Sequence, residues 1–203
     1  MKNAIIIGAG ASGLTAAYFA AKNKNVSVTL IEKNDRPARK LMITGKGRCN
    51  VTNNCDLRTL LDNVTKNEKF LYSAFSSFSS SDTMELFKTL GVPLKTERGN
   101  RVFPISDKSS DIVDALVNAV KKEKCKILKG TVKEIKAENG LVYEAVLSNG
   151  EKIKADYIVL ATGGLSYPLT GSAGDGYKMA DKLGIKVREL IPSLVPFECK
   201  EGF

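Results

Sequence analysis

Three glycines near the amino terminus have a spacing that suits the binding of phosphate groups. Gly8, Gly10 and Gly13 form the pattern GxGxxG, between an apolar run at 4–7 and a helix-like pattern that starts at Ser12. The first glycine of such a turn permits a tight bend, the second lets the backbone approach a pyrophosphate, and the third lets helix and strand pack closely. Ala11 and Ser12 then open a helix whose free N–H groups and dipole attract phosphate. These residues predict a dinucleotide-binding turn.

A carboxylate follows at the position where such a turn needs one. Glu32 ends the second predicted strand, 26–31, and stands 19 residues after Gly13. From there it can accept two hydrogen bonds from an adenosine ribose, each contributing about 1.5–3 kcal/mol. The same charge repels a 2′-phosphate, so we expect NADP to be disfavoured at this turn. Lys33, the next residue, is predicted to contact the cofactor as well.

The elements around these residues predict an α/β protein. Strand 4–7, helix 12–24 and strand 26–31 form a β-α-β unit, and 157–161 is a further buried strand. Other helices are expected at 56–62, 67–78, 82–90, 111–123 and 173–183, with Asp82 as an N-cap, while 33–54 shows no periodic element. A hairpin is expected at 94–97 and 101–104, and strands at 126–128, 131–137, 142–147 and 151–153. Asn-Gly turns at 139–140 and 149–150 predict a small antiparallel meander from 131 to 154.

Composition excludes several classes of site. The chain has no histidine, so catalysis by Ser-His-Asp or Cys-His arrangements and histidine-ligated metals are excluded. Its four cysteines contain no CxxC pair, which argues against a zinc site, a thioredoxin-like motif or a disulfide scaffold. No apolar run reaches the length of a membrane helix, and the run at 4–7 is too short for a signal peptide. We therefore expect a cytoplasmic protein with no membrane partner and no metal.

Three further motifs resemble one family closely. They are KLMITGKGRCNVTN at 40–53, RVFPIS at 101–106, and TGGLSYP at 162–168 followed by TGSAGDG at 170–176. In this order they resemble the YhiN/BaiN-like flavoproteins, also called aminoacetone-oxidase-family FAD-binding enzymes. The resemblance covers essentially all of the chain. It implies a Rossmann-like domain with a parallel sheet, bound FAD, and the FAD-binding portion of a flavin-dependent oxidoreductase.

The resemblance also bears on domain organisation. Proteins of this family are about twice as long as this chain and carry an inserted substrate domain. Residues 1–191 would then be an incomplete FAD-binding domain, and 192–203 the start of the insert. This half alone is expected to lack turnover. A small-molecule substrate is implied, the electron donor could be NADH or NADPH, and the catalytic acid or base is unassigned.

Cofactor contacts are also predicted in residues 33–54, called the basic loop below, and in the turn after strand 157–161. A turn of the type Ala161, Thr162, Gly163 and Gly164 lies beside the dinucleotide in related flavoproteins, although an ordinary βα turn has the same composition. In the loop, Gly45 and Gly47 would let the backbone approach the flavin, and Lys40 or Arg48 would neutralise the pyrophosphate. Asn50 and Thr52 would bond ring or ribitol atoms, unless they are simply solvated. Cys49, Val132 and Asp175 complete the predicted set of cofactor contacts. For Asp175 a second role, as the cap of the following helix, is equally compatible with the sequence.

The net charge of +9 leaves a second interpretation open. Residues 1–54 hold nine Lys or Arg against two Asp or Glu, whereas the rest of the chain is nearly balanced. A local excess beside a phosphate-binding turn favours a phosphorylated cofactor over nucleic acid, which usually needs a broader basic stripe. The alternatives are a tRNA-modifying flavoprotein and a dinucleotide-binding module without turnover. Self-association is compatible with the sequence.

Overall fold

The computed structural model describes residues 1–192. Within that range the strands, in chain order, are β1 (Lys2–Ile7), β2 (Val26–Glu32), β3 (Thr52–Asn53), β4 (Leu94–Glu97), β5 (Arg101–Pro104), β6 (Lys126–Lys129), β7 (Val132–Glu138), β8 (Leu141–Leu147), β9 (Lys152–Lys154) and β10 (Tyr157–Leu160). The helices are α1 (Ala11–Ala21), α2 (Arg39–Ile43), α3 (Leu57–Asp62), α4 (Glu68–Ser77), α5 (Ser80–Thr89), α6 (Ser109–Lys122) and α7 (Asp175–Lys182). The predicted α/β class is confirmed.

A parallel sheet in the order β10-β1-β2-β6 forms the centre of the molecule. Strand β1 is buried on both faces, as expected of a central parallel strand. Its residues alternate between two apolar clusters, with Ile6 packing towards α1 and α6 and Ile5 packing towards the second cluster, which includes residues of β7 and β8. The parallel arrangement places the carboxyl ends of β1, β2 and β10 at one edge, where open α/β sheets bind ligands.

Two antiparallel sheets flank this core. Strands β7, β8 and β9 pair in sequence order, which confirms the meander predicted at 131–154. Strands β4 and β5 form the predicted hairpin, and β3 adds to its outer side. The second sheet therefore carries the end of the basic loop, because Thr52 of β3 pairs with Val102 of β5.

The structure corrects several element boundaries. Asp82 is not the N-cap of α5, because the helix starts two residues earlier. Ser79 caps it and Asp82 accepts a hydrogen bond from the Ser79 N–H, which makes a capping box. Segment 33–54 contains the five-residue helix α2 and the two-residue strand β3, both too short to produce a periodic pattern. The predicted insert at 192–203 lies almost wholly outside the described residues.

Candidate cofactor-binding site

A cleft of about 400 Å³ opens at the carboxyl ends of β1, β2 and β10. It is walled by the glycine turn, the end of β2, the start of α2, the strand β7 and the loop that precedes α7. Most of the predicted cofactor residues line it, namely Gly8, Gly10, Ala11, Ser12, Glu32, Lys33, Lys40, Val132, Ala161, Thr162, Gly163 and Asp175. Residues separated by up to 167 positions in the sequence thus meet in one cavity.

The three glycines of the GxGxxG pattern, called the fingerprint below, have three different local environments. Gly8 has φ +103°, and a Cβ on it would lie 2.5 Å from the carbonyl oxygen of Ala161. A Cβ on Gly13 would lie 1.8 Å from the carbonyl oxygen of Gly8, so this glycine lets α1 pack on the turn and does not line the cleft. A Cβ on Gly10 would have no protein atom within 4 Å. Gly10 therefore keeps open a space that belongs to the cleft.

The amino terminus of α1 borders this open space. Gly10 is its N-cap residue and supplies no side-chain hydrogen bond, and the first turn of the helix carries no acidic residue. The first N–H groups of a helix have no partner within the helix itself. Together with the positive end of the helix dipole they favour an anion beside Ala11 and Ser12.

Glu32 is buried beneath the cleft, with 8% of its surface exposed. The Ala9 N–H donates to Oε2 at 2.7 Å, and the backbone and side-chain N–H groups of Asn34 both donate to Oε1 at 2.8 Å. A carboxylate has about four acceptor positions. Three are used, which leaves about one, on Oε2, for a ligand that enters the cleft.

Asn34 joins the end of β2 to the loop before α7. Its amide nitrogen also donates to the Thr170 carbonyl at 3.3 Å, and its Oδ1 accepts from Arg39 at 3.2 Å. Gly171 has φ +104° and a Cβ there would lie 2.5 Å from the Asn34 amide nitrogen. Sequence analysis missed Asn34, whose only local signal is its position two residues after Glu32.

An ion pair closes one side of the cleft. The Lys33 ammonium lies 2.5 Å from the Asp175 carboxylate, and each side chain is about one-third exposed. Asp175 is the first residue of α7, after the N-cap Gly174, which makes no side-chain cap. Asp175 therefore links α7 to β2 and lines the cleft, and it is not the N-cap.

Arg48 is engaged away from the cleft. Its guanidinium lies 4.0 Å from the ring centroid of Phe103 and donates to both oxygens of Glu97, at 3.0 and 3.1 Å, and to Asp107 at 3.3 Å. Arg48 is therefore not placed to neutralise a pyrophosphate in the cleft, whereas Lys40 and the amino terminus of α1 line it. Arg48 fastens the basic loop to the β4–β5 hairpin.

Six other predicted residues also lie outside the cleft lining, namely Gly45, Gly47, Cys49, Asn50, Thr52 and Gly164. Gly45 packs on Phe103, whose Cε1 would be 2.8 Å from a Cβ there, while nothing lies closer than 4.0 Å to a Cβ on Gly47. The Asn50 amide is placed to donate to the carbonyls of Val102 and Thr52, and Thr52 donates to Ser80. Cys49 has no exposed surface, and Gly164 lies beside Tyr177. Their direct contact with a flavin remains a prediction.

Several residues that line the cleft are absent from the set of cofactor contacts predicted from the sequence. Besides Asn34 they include Ile7, Ile31, Ala38, Arg39, Leu41, Thr44, Gly130, Thr131, Thr170, Gly171, Ser172 and Met179. Gly130 and Thr131 link β6 to β7, and the Gly130 N–H donates to the Glu32 carbonyl at 2.8 Å. Ile31, Val132 and Met179 give this end of the cleft an apolar wall.

The charge cluster around Arg48 predicts a pH dependence of stability. Hydrogen bonds, chiefly from Lys95 and also from Arg48, lower the pKa of Asp107. Partial desolvation alone would raise the pKa of Glu97, but hydrogen bonds from Arg48 and Lys95 outweigh the desolvation, so the pKa of Glu97 is lowered as well. Because both pKa values are lower in the folded chain than in the unfolded chain, the two ionised carboxylates stabilise the fold. This contribution is fully present at pH values above the pKa values of the unfolded chain, which are about 4. It is lost as the pH falls through the folded values.

We expect Arg48→Gln to reduce this loss between about pH 5 and pH 3, where those carboxyls protonate. Urea midpoints at both pH values, for the variant and the parent, measure it. Other carboxylates with lowered pKa values, such as Asp82, are common to both chains and cancel. An equal drop in midpoint in both chains would show that Arg48 does not contribute.

Cys49 is expected to be chemically inert in the folded chain. Burial raises the pKa of its thiol and outweighs a hydrogen bond with Thr44, and burial likewise raises the pKa of Cys125. Because the thiolate is the reactive form, Cys55, which is partly exposed, should react first of these three. Brief alkylation followed by peptide mass analysis tests this order, with urea-unfolded chain as the control. Early labelling of Cys49 would contradict it.

Among residues 1–192, none of the helices combines the length and apolar character required to cross a membrane. In the same part of the chain, no group of three or more cysteine or acidic side chains is gathered as a metal would require.

Comparison with known proteins identifies the family. Residues 2–192 match the HI0933-like protein Rossmann domain. The chain belongs to this family. The YhiN/BaiN-like resemblance and the Rossmann-like fold are thereby confirmed.

Two curated members of similar sequence have different names. The chain is 32% identical over 199 residues to the 3-dehydro-bile acid delta(4,6)-reductase of Clostridium scindens, covering 97% of this chain and 47% of that protein. It is 33% identical over 197 residues to the ribosomal RNA dihydrouridine synthase of Escherichia coli, covering 96% and 48%. The chain spans about half the length of the curated relatives it matches.

Among solved structures, the fold resembles that of the THI4 protein of Thermovibrio ammonificans, with a TM-score of 0.55 and 20% identity. The match covers 80% of this chain and 56% of that one. This similarity concerns the fold alone.

Proposed function

We propose that the cleft binds FAD and that the chain is the FAD-binding portion of a flavin-dependent oxidoreductase. The observation that carries the proposal is the environment of Gly10. Its missing side chain leaves a space that no protein atom occupies, at the amino terminus of a helix and on the wall of the cleft. A pyrophosphate fits that space, because its oxygens can accept from the helix N–H groups.

The rest of the cleft suits the adenosine half of FAD. The remaining acceptor position on Glu32 Oε2 would bond one ribose hydroxyl, and the apolar wall of Ile31, Val132 and Met179 would hold the adenine ring. Lys40 adds a positive charge near the phosphates. The turn Ala161–Gly163 would then lie on the path towards the flavin.

FAD, when bound, supplies the electron transfer. The residues of this chain would bind the adenosine half, fix its direction and order the loops around it. Family membership beside a bile acid reductase supports a reductase activity for the whole protein, with a small-molecule substrate. We propose NADH or NADPH as its electron donor and the cytoplasm as its location.

An RNA substrate is the second candidate, because one relative is a ribosomal RNA dihydrouridine synthase and residues 1–54 are strongly basic. The ion pairs argue against it. Lys33 is paired with Asp175, and Arg48 is paired with Glu97 and Asp107. Basic groups engaged inside the chain contribute little to a phosphate-binding stripe. A salt-titrated binding assay with a ribosomal RNA stem-loop separates the two candidates.

The proposal is tested by the cofactor that accompanies the protein. Protein purified without added nucleotide is heated, and the released compound is run against FAD, FMN, NAD and NADP standards. We expect a flavin spectrum before heating and FAD in the supernatant. Release of FMN or of a nicotinamide in its place would refute the proposal.

A further inference from the structure

The Asn34 side chain makes hydrogen bonds to three separate residues beside the cofactor cleft. Its amide nitrogen donates to Glu32 Oε1 at 2.8 Å and to the Thr170 carbonyl at 3.3 Å. Its amide oxygen accepts from Arg39 at 3.2 Å. A primary amide has two N–H donors and one carbonyl acceptor, so every part of this group has a partner. A carboxylate, a hydroxyl or a methyl group at this position could not make all three bonds.

The bonds from Asn34 determine which oxygen of Glu32 is free. The Asn34 backbone N–H also donates to Oε1 at 2.8 Å, so Oε1 accepts two hydrogen bonds, whereas Oε2 accepts one, from Ala9. The adjacent ammonium of Lys33 is paired with Asp175, and the donors that hold the Glu32 carboxylate within the described residues are neutral N–H groups. A buried carboxylate held in this way depends on each of its donors. The acceptor position that remains is on Oε2 because Asn34 occupies Oε1.

The loop that precedes α7, residues 165–174, is attached to the same amide and is called the α7 loop below. Gly171 has φ +104°, and a Cβ there would lie 2.5 Å from the Asn34 amide nitrogen, so the loop can pass this close only as glycine. The next residue, Ser172, is buried and lines the cleft, and its hydroxyl oxygen would lie 2.7 Å from a Cβ on Gly163. The α7 loop therefore packs between Asn34 and the turn that follows β10.

We propose that Asn34 is a positioning residue of the nucleotide site, which holds Glu32 Oε2 towards the ribose and couples ribose binding to the conformation of the α7 loop. A ribose hydroxyl that bonds Oε2 fixes the carboxylate, the carboxylate fixes the amide, and the amide fixes the Thr170 carbonyl. By linkage, an ordered α7 loop favours ribose binding to the same extent. The inference rests on the proposed binding of adenosine in the cleft, and it assigns Asn34 no direct contact with the nucleotide.

The ribose preference of Asn34→Ala tests the positioning role. ADP and 2′,3′-dideoxy-ADP differ only in the ribose hydroxyls, and the parent is expected to prefer ADP by about 10-fold or more. We expect the preference of Asn34→Ala to fall to about 3-fold or less, because Oε1 loses a donor and the carboxylate can turn. Asn63→Ala is the matched control, since it removes an amide bond to the Thr59 carbonyl at the end of α3, and it should keep the parent's preference. Weaker binding of both ligands with an unchanged ratio would show a merely structural role and overturn the proposal.

A tryptophan on the α7 loop tests the coupling. The chain has no tryptophan, and Leu169 is 88% exposed, so Leu169→Trp places a single reporter beside Thr170 without disturbing the core. We expect saturating ADP to shift its emission, and saturating 2′,3′-dideoxy-ADP to produce about half of that shift or less. No shift, or the same shift with both nucleotides, would overturn the coupling. This comparison needs no change at Asn34, so it decides the matter even if Asn34→Ala does not fold.

Failure of this inference and failure of the proposed function give different results. A parent chain that binds neither FAD nor ADP refutes the proposed function. A parent chain that prefers ADP to the analogue, with the same preference in Asn34→Ala, refutes this inference alone. A parent chain that binds ADP and the analogue equally refutes the ribose contact, and this inference with it.

Discussion

Gly13→Ala is expected to destabilise the fold severely, whereas Gly10→Ala is expected to fold normally and lose FAD. The two glycines lie three residues apart in one turn, yet their environments differ. The added methyl of Gly13→Ala would lie 1.8 Å from the Gly8 carbonyl oxygen, a backbone atom that cannot move without disturbing the turn. We expect a loss of about 4 kcal/mol or more, which is a large part of the stability of a typical domain.

The methyl group of Gly10→Ala meets no protein atom, and Gly10 has φ −78°, which alanine adopts readily. We expect its stability to stay within about 1 kcal/mol of the parent, because alanine caps a helix less well than glycine but restricts the unfolded chain. The same methyl fills the space assigned to the pyrophosphate, so FAD affinity should fall about 100-fold or more, close to 3 kcal/mol.

Urea denaturation and FAD titration of the two variants together separate the roles. Each variant serves as the control for the other, since both add one methyl group to the same turn. Normal FAD binding by folded Gly10→Ala would remove the basis for placing the pyrophosphate there. A stable Gly13→Ala chain would contradict the packing derived for the turn.

Glu32→Ala is expected to produce the second-largest effect, and it should act on both stability and binding. It leaves the Ala9 N–H and the two Asn34 N–H groups without their acceptor. Unpaired buried donors cost about 1–3 kcal/mol each, so we expect a loss of about 2–4 kcal/mol after partial rearrangement. Loss of one charge-assisted ribose bond should weaken binding of FAD by about 10- to 150-fold.

A ribose contact can be separated from loop ordering with a matched ligand pair. ADP and its 2′,3′-dideoxy analogue differ only in the hydroxyls that Glu32 would bond. The parent should prefer ADP by about 10-fold or more, and the milder variant Glu32→Gln should lose most of that preference. An unchanged preference in Glu32→Gln would leave Glu32 with a purely structural role.

The fingerprint part of the site was predictable because its signal is local. Gly8, Gly10, Gly13 and Glu32 belong to one β-α-β unit, and the spacing within that unit fixes which residue reaches the cleft. The strand pattern around Asn139-Gly140 likewise gave the meander, because a tight turn determines how its two neighbours pair.

The rest of the site depends on contacts between distant parts of the chain. The Asn34 side chain donates a hydrogen bond to the carbonyl of Thr170, 136 positions away, and no local sequence pattern predicts such a bond. Arg48 looked like a phosphate ligand because its sequence neighbours are basic and glycine-rich. Its partner Glu97 lies 49 positions away, on a hairpin that was predicted as an element but not placed against the loop. Charge in a sequence thus indicates which groups need partners, whereas the fold decides whether the partner is a ligand or another side chain.

Competition between nucleotides tests the central claim most directly, because the cleft is assigned to the adenosine half of FAD. The chain would be titrated with FAD and with FMN, and the bound flavin then challenged with ADP. We expect one FAD per chain, displacement by ADP, and FMN binding at least 100-fold weaker, since FMN lacks the adenosine half. FMN binding as tight as that of FAD, or FAD that ADP cannot displace, would contradict the account.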